Sequence, residues 1–208
     1  MAQAPRTVVI DYGMGNIHSV SKALEASGHR VHIAAHPEES FRAFDPTHLV
    51  LPGVGAFGEG IGRLEKAGWI PVLRGWISED RPFLGICLGM QLLFGESHEF
   101  GTHQGLEIFP GRVVPFDPNR GKVPQIGWNE VKKTAPHPIW QGLPPEPDLY
   151  FVHSYHVRTP EQSIILGETD YHETYPSMVG LSRVVAMQFH PEKSQRTGLT
   201  LLKNFGAL

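Results

Sequence analysis

The segment Gly85-Ile86-Cys87-Leu88-Gly89 constrains this chain more than any other. A short apolar run, Phe83 to Ile86, precedes it, and a helix-like stretch from Met90 to Phe94 follows. This order predicts a strand, a sharp turn and a helix, with the only cysteine of the 208 residues at the bend. The pattern is that of a nucleophile elbow, G-x-S-x-G, with sulfur in place of oxygen.

Two physical features of this turn suit a reactive cysteine. Glycines beside so tight a turn avoid collisions between side chains and neighbouring backbone. The start of the following helix directs free N–H groups and a positive dipole end at the sulfur, which favours thiolate over thiol. A lone cysteine is otherwise usually a small buried hydrophobe. With glycines on both sides and a strand before them, we interpret Cys87 as a nucleophile, although the elbow alone does not name a reaction.

Length and composition restrict the class of protein. The chain has 208 residues, 40% hydrophobic and 19% charged, which fits a single globular domain over residues 1–208. The net charge of -3 gives no electrostatic reason to expect nucleic acid or an anionic membrane as a partner. Met1 to Arg6 lacks a signal-peptide core, and no apolar run is long enough to span a bilayer. We therefore expect a cytoplasmic protein.

Cysteine and histidine usage argues against a metal centre. One cysteine excludes an intrachain disulfide and a Cys-rich zinc site. The 12 histidines include close groups such as His29, His32 and His36, but no H-E-x-x-H pattern or cysteine pair accompanies them. Spacing alone supports no ligand set, so we expect neither a metal nor a cofactor.

Strands and helices alternate in the first half of the sequence. The predicted strands are Thr7–Ile10, Arg30–Ala34, His48–Leu51 and Pro82–Ile86, and the predicted helices are Asn16–Ser27, Gly58–Ala67 and a segment after Pro71. This alternation predicts an α/β fold with a mostly parallel central sheet flanked by helices. Ligands bind such sheets beyond the carboxyl ends of the strands, where both Pro52–Phe57 and Cys87 would lie.

The second half, from about Gly111, is richer in short strands and turns. Strands are predicted at Arg112–Phe116, Leu149–His153, Ile164–Leu166 and Val184–Phe189, with a closing helix over Thr197–Phe205. We expect an additional small strand-rich region here, with no linker that would mark a domain boundary.

A cysteine nucleophile needs a base, and the base needs an orienting group. His190 and Glu192 flank a proline, whose ring restricts its own backbone and biases the residue before it towards an extended conformation. This arrangement can hold imidazole and carboxylate in one plane beside the elbow. The alternative is a strand-end histidine with a solvated glutamate.

An acyl intermediate also needs donors for its oxyanion. The backbone N–H of Leu88 is one candidate. The segment Pro52-Gly53-Val54-Gly55 is the other, because Gly53 and Gly55 permit a peptide to turn its N–H inward. A simple strand-to-helix turn would have the same spacing.

Together these residues resemble the class I glutamine amidotransferases, and the resemblance covers essentially the whole chain. It rests on Gly85-Ile86-Cys87-Leu88-Gly89-Met90-Gln91 and His190-Pro191-Glu192. More closely, the chain resembles the glutaminase subunits of imidazole glycerol phosphate synthases. That closer likeness rests on residues 10–16, 51–57, 125–129 and 150–155.

The resemblance implies the class I amidotransferase fold and a role for each site residue. Cys87 attacks the side-chain amide of glutamine and forms a γ-glutamyl thioester. His190 accepts the thiol proton and donates it to the leaving ammonia, and Glu192 orients His190. The implied oxyanion donors are the N–H groups of Val54 and Leu88. The implied substrate contacts are Gln91, Glu99 and backbone near Ser154 and Tyr155, with Glu96 as a competitor of Glu99.

The resemblance also implies a partner. This is a cyclase subunit with a (β/α)8 barrel, joined in a heterodimer, that uses the ammonia to form imidazole glycerol phosphate and aminoimidazole carboxamide ribotide in histidine biosynthesis. The segments Gly127-Trp128-Asn129 and Tyr150-Phe151 are either core or part of a partner surface. The alternatives are another amidotransferase branch, a stand-alone hydrolase of γ-glutamyl bonds with a cysteine nucleophile, and a catalytically silent member that only binds or regulates a partner.

Overall fold

The computed structural model describes residues 3–208. Its helices are α1 (Ile17–Ala26), α2 (Pro37–Ala43), α3 (Phe57–Lys66), α4 (Trp69–Ser78), α5 (Leu88–Gln91) and α6 (Gln195–Phe205). Its strands are β1 (Arg6–Ile10), β2 (Arg30–Ala34), β3 (His48–Gly53), β4 (Phe83–Cys87), β5 (Phe94–Ser97), β6 (His103–Gln104), β7 (Phe109–Pro115), β8 (Gln125–Glu130), β9 (Lys132–Lys133), β10 (Asp148–His153), β11 (Tyr155–Arg158), β12 (Ile165–Tyr171), β13 (Glu173–Leu181) and β14 (Val184–Met187).

An eight-stranded sheet in the order β2-β1-β3-β4-β14-β13-β12-β9 forms the centre of the fold. The first five strands in this order run parallel. The remaining three continue the sheet in antiparallel fashion. Every residue of β3, β4 and β14 is buried, as expected for parallel strands covered on both faces. The predicted α/β fold is confirmed, although its sheet is mixed.

Apolar side chains form one core layer on each face of this sheet. One layer contains Val8 and Ile10 of β1 together with Trp69 and Leu73 of α4. The other contains the intervening Val9, with side chains of α1 and α6. Alternate residues of a strand point to opposite faces, so an unbroken apolar strand feeds both layers.

Strands of the second half enter two smaller sheets as well as the central sheet. Strands β11, β7, β5 and β6 make a four-stranded sheet, and β10 pairs with β8 in an antiparallel ribbon. Phe94 precedes the second half but joins the four-stranded sheet, so the prediction of a helix from Met90 to Phe94 is wrong beyond α5. Phe94 begins β5 and pairs with Phe109 of β7, and the two buried rings lie 5.9 Å apart. This tertiary contact overrides the local helical pattern.

Several elements were not predicted from the sequence, among them α2, β8 and β13. The longest of them, β13, contains Pro176, which usually argues against an interior strand. Here the pairing of β13 with β12 shifts register between Ile165 and Glu168. Glu168 faces Pro176 beside that shift, and irregular pairing of this kind tolerates a residue without an N–H.

The described part of the chain contains neither a membrane-spanning helix nor a cluster of metal ligands. Within residues 3–208, no helix is long and apolar enough to cross a bilayer. In the same range, no three His, Cys, Asp or Glu side chains are grouped so that they could hold a metal ion.

Two helix glycines provide a matched test of the packing. A Cβ at Gly198 of α6 would overlap the carbonyl oxygen of Pro191, whereas one at Gly62 of α3 would meet no heavy atom within 4 Å. We expect Gly198→Ala to lower the free energy of unfolding by about 1–3 kcal/mol. Gly62→Ala should raise it by about 0.5–1 kcal/mol, because alanine favours the helix. Urea denaturation of both variants checks this, and equal effects would contradict the packing described.

Candidate active site

Cys87 lies at a strained turn between β4 and α5. Its φ of 54° and ψ of -109° fall outside the regions that L-residues favour. A Cβ on Gly85 would lie 2.8 Å from the carbonyl oxygen of Gly89, and one on Gly89 would overlap the carbonyl oxygen of Leu51. No larger residue fits at either flank without moving the backbone. The strand, sharp turn and helix expected from the sequence are present.

His190 and Glu192 form a buried pair just beyond the carboxyl end of β14. Nδ1 of His190 lies 2.8 Å from Oε1 of Glu192, and the two side chains are 3% and 2% exposed. Strand β14 runs parallel to β4, with Met187 opposite Ile86. Parallel neighbours end at the same edge of a sheet, so the loop carrying His190 leaves β14 where Cys87 ends β4.

Hydrogen bonds to the backbone fix the loop that carries this pair. The N–H of His190 donates to the carbonyl of Tyr150 at 2.8 Å. The hydroxyl of Ser194 donates to the carbonyl of His190 at 2.6 Å and accepts from the N–H of Tyr150 at 3.0 Å. His190 is therefore tied to β10 at two points, which limits its movement relative to the elbow.

Electrostatics at the site favour a protonated imidazole. Burial alone lowers the pKa of His190, but its interactions with Cys87 and Glu192 outweigh burial and raise the pKa from 6.5 to about 10. Nε2 of His190 is buried and has no hydrogen-bond partner within residues 3–208. Because Glu192 holds Nδ1, Nε2 is the nitrogen left to exchange a proton with the sulfur.

A cleft of about 550 Å³ opens onto Cys87. All four expected substrate contacts line it: Gln91, Glu99, Ser154 and Tyr155. Three of the four expected oxyanion-loop residues line it as well: Val54, Gly55 and Leu88. Residues with no expected role complete the lining: Ala56, Phe100, Val152, His153 and Lys193.

The two candidate glutamates lie in different places. Glu99 lines the Cys87 cleft, and its carboxylate accepts the N–H of Phe57 at 2.6 Å, at the start of α3. Glu96 lines a separate cleft, and its carboxylate lies 3.0 Å from Nε2 of His98. Position therefore favours Glu99 over Glu96 as a group that meets a ligand at the sulfur.

The glycine loop after β3 packs directly on the elbow. Gly53, the remaining expected oxyanion residue, ends β3 in register with Cys87. A Cβ on Gly53 would overlap the hydroxyl of Tyr12 and lie 3.0 Å from Cβ of Leu88. Gly55 has a φ of 107°, which only glycine adopts readily. The loop and the first turn of α5 thus share one wall of the cleft.

Sequence reasoning assigned no role to two titratable groups beside the sulfur. Burial, helped by the charge of Cys87, raises the pKa of Tyr12, and its buried hydroxyl has no partner within residues 3–208. Burial lowers the pKa of His153 to about 3, and its Nδ1 lies 2.8 Å from the carbonyl oxygen of Tyr155. Both residues belong to segments that carry the family resemblance, and this membership was the one sign in the sequence that they lie near the site.

Comparison with known proteins gives the family. The family model for glutamine amidotransferase class-I matches residues 8–207. The chain belongs to this family. It is therefore a glutamine amidotransferase, as the sequence pattern indicated.

Similar curated proteins narrow the assignment within the family. "Imidazole glycerol phosphate synthase subunit HisH" of Syntrophotalea carbinolica is 48% identical over 206 residues, covering 96% of this chain and 98% of that protein. The proteins of the same name are 50% identical in Aquifex aeolicus, covering 96% and 95%, and 47% identical in Thermosynechococcus vestitus, covering 99% and 98%.

Solved structures support the fold at lower identity. A chain of PurLQS from Thermotoga maritima matches with a TM-score of 0.77 at 14% identity, covering 98% of each chain. A glutamine amidotransferase from the same organism matches with a TM-score of 0.65 at 18% identity, covering 94% of this chain and 80% of that one.

The proton on His190 provides a direct test of the site electrostatics. We expect Glu192→Gln to lower the titration midpoint of the His190 imidazole from about 10, because a negative partner of the imidazolium is lost. NMR titration of the imidazole nitrogens measures the midpoint. The exposed Glu65 provides the control, since Glu65→Gln should leave it unchanged. An unaltered midpoint in Glu192→Gln would contradict the conclusion that Glu192 stabilises the protonated imidazole.

Proposed function

We propose that this chain is the glutaminase subunit of an imidazole glycerol phosphate synthase. It hydrolyses glutamine to glutamate and ammonia, and it delivers the ammonia to a cyclase subunit with a (β/α)8 barrel in histidine biosynthesis. The observation that carries the proposal is the buried His190–Glu192 pair at the sheet edge where Cys87 ends β4. The HisH relatives support the choice of synthase over other branches of the family. A thiol nucleophile works best in a reducing compartment, which supports a cytoplasmic location.

The first half-reaction uses the proton held by His190. The sulfur of Cys87 attacks the carboxamide carbon of glutamine as a thiolate, and a C–S bond forms. His190 then gives its Nε2 proton to the amide nitrogen, the C–N bond breaks and ammonia leaves. The raised pKa of His190 supports an imidazolium in the resting enzyme.

The second half-reaction returns the enzyme to its starting state. Neutral His190 takes a proton from water as that water attacks the thioester carbon. The C–S bond breaks, glutamate leaves, and the thiolate and imidazolium are restored. The buried carboxylate of Glu192 keeps Nδ1 protonated throughout, so Nε2 is always the nitrogen that acts.

Backbone N–H groups of Val54 and Leu88 stabilise the oxyanion in this proposal. Support comes from the register of Gly53 with Cys87, which places the loop and the first turn of α5 side by side. Gly55, with its φ of 107°, gives the loop a backbone conformation that other residues avoid.

Polar groups of the cleft recognise the amino-acid end of glutamine. The carboxylate of Glu99 suits the substrate ammonium, and backbone at Ser154 and Tyr155 suits its carboxylate. Gln91 has its Nε2 committed to the carbonyl of Tyr155 at 3.0 Å. Its Oε1 therefore remains as the group that can accept from the substrate.

A patch of apolar and aromatic side chains with one lysine, beside the cleft, is the proposed docking surface for the cyclase. We call Ile126, Trp128, Tyr150 and Lys193 the rim patch. Ile126 is 58% and Trp128 48% exposed, and alternate residues of β8 share a face. The rings of Trp128 and Tyr150 meet edge to face, and Nζ of Lys193 lies 5.8 Å from the Tyr150 ring. Since Lys193 also lines the cleft, the patch is continuous with its rim.

Docking there suits the chemistry of ammonia. Ammonia released into water at neutral pH would be protonated and lose its nucleophilicity, so it needs a dry route to the second active site. A cyclase on the rim patch covers one side of the cleft. The buried Phe151, by contrast, belongs to the core, so the two aromatic segments divide between core and surface.

Removal of the proposed nucleophile or base should abolish glutaminase activity. We expect Cys87→Ala and His190→Asn each to lower kcat by about three or more powers of ten, because such residues act as a unit. Ammonia release by the chain with its cyclase and cyclase substrate is the measurement. The control His18→Asn changes an exposed histidine and should retain full activity. Retained hydrolysis in Cys87→Ala would overturn the proposal.

Charges placed in the rim patch should weaken cyclase binding. We expect Trp128→Asp to raise the Kd for the purified cyclase about 30-fold or more, since buried aromatic anchors dominate interfaces. Leu181 is 61% exposed and pairs with Val184, at the opposite end of β14 from the cleft, so Leu181→Asp is the control. Titration calorimetry gives both affinities. Equal losses of affinity in the two variants would refute this docking surface. Separately, full ammonia production by the isolated chain would favour a stand-alone hydrolase.

A further inference from the structure

Gln188 is a buried polar side chain that the triad does not use. It follows β14 directly and is fully buried, and its backbone N–H donates to the carbonyl of Ser177 in β13 at 2.9 Å. Its side-chain Nε2 lies 3.7 Å from Sγ of Cys87, within the range of a hydrogen bond to sulfur. Buried amides of this kind are costly to keep without partners, so the contact with the sulfur is part of how Gln188 is satisfied.

The other end of the same amide is bound to a proposed substrate contact. Oε1 of Gln188 accepts from Nε2 of Gln91 at 2.9 Å. Nε2 of Gln91 also donates to the carbonyl oxygen of Tyr155 at 3.0 Å, so both of its hydrogens are used. Gln188 therefore connects the sulfur to Gln91 through a single amide group.

The hydrogen-bond pattern fixes the orientation of both amides. A backbone carbonyl only accepts, so Gln91 must present nitrogen to Tyr155. That same nitrogen can then meet only an oxygen of Gln188. The remaining amide atom of Gln188, its nitrogen, must face Cys87. A donor thus points at the sulfur, and sulfur accepts hydrogen bonds best as a thiolate.

We propose that Gln188 is a positioning residue that holds the Cys87 sulfur in its thiolate form and in register with Gln91. One buried amide then sets the distance between the nucleophile and the side chain that holds glutamine. The inference rests on the proposed function, because it takes Cys87 as the nucleophile and Gln91 as a substrate contact. With Gln188, the sulfur has a second polar neighbour on the segment after β14, in addition to the imidazole of His190.

Two substitutions separate the contact of Gln188 with the sulfur from its contact with Gln91. Gln188→Met keeps the length of the side chain but removes both hydrogen bonds. Gln188→Glu keeps an oxygen for Gln91 and, when ionised, removes the donor to the sulfur. The matched control is Gln125→Met, which alters another buried glutamine whose Oε1 accepts from the hydroxyl of Tyr175 at 2.8 Å.

The first readout is the pH profile of Cys87 alkylation by iodoacetamide, followed by mass spectrometry of the Cys87 peptide. Gln188→Met should move the midpoint upward by about 0.5–1 pH unit, the size expected for one lost hydrogen bond. Gln188→Glu should move it further, because an ionised carboxylate also repels the thiolate. Gln125→Met should leave the midpoint where the unaltered protein has it. A role in folding alone would not move this midpoint.

The second readout is glutaminase kinetics in complex with the cyclase at pH 8. Gln188→Met should lower kcat about 3- to 10-fold and also raise KM, because both contacts are lost. Gln188→Glu should lower kcat by a similar factor while KM stays near that of the unaltered enzyme. Thermal unfolding of each variant separates these effects from loss of folded protein.

Four outcomes decide between these possibilities. Shifted midpoints together with the split between kcat and KM support the inference. Unchanged midpoints and kcat in both folded variants overturn it, and so does an activity loss that only follows the folded fraction. If alkylation of Cys87 in the unaltered protein leaves hydrolysis intact, the proposed function itself fails, whatever the Gln188 variants do.

Discussion

The parallel register of three neighbouring strands is the constraint on which the rest of this structure depends. Strands β3, β4 and β14 lie side by side and end at the same edge, with Gly53 opposite Cys87 and Met187 opposite Ile86. One strand supplies the glycine loop, the next supplies the sulfur, and the third leads to the imidazole. Side chains far apart in sequence therefore meet because parallel strands share a carboxyl edge.

Close backbone packing keeps this edge in place. Glycines at 85 and 89 let the elbow approach the neighbouring strand, and Gly53 leaves room for the buried hydroxyl of Tyr12. The conformation of Cys87 at positive φ is maintained by these contacts. Strain of this kind persists only where the surrounding structure holds it, and here apolar layers cover both faces of the sheet.

The sequence predicted the parts of the fold and site that depend on local patterns. The apolar strands β1, β3 and β4 follow from short runs between turns, and the elbow follows from its two glycines around Cys87. Long-range pairing was harder to predict. Phe94 reads as helical in isolation but pairs with Phe109, and β13 is hidden by Pro176.

The site shows the same division between local pattern and tertiary contact. The resemblance implied Glu99 as a substrate contact with Glu96 as its competitor. The fold separates them, because Glu99 lines the Cys87 cleft and Glu96 lines another cleft. Gln188 stands beside the His190 motif, yet nothing in the sequence indicates that its amide reaches the sulfur. A single domain over residues 1–208 and the roles of the site residues stay predictions.

The most direct test of the account is to trap the covalent intermediate. Isotopically labelled glutamine is mixed with the enzyme and its cyclase, the reaction is quenched in acid within a turnover, and the peptides are mapped by mass spectrometry. The account predicts one γ-glutamyl group on the peptide containing Cys87, removable by hydroxylamine as expected for a thioester. Rapid hydrolysis with no label on that peptide, or with label on another residue, would contradict it.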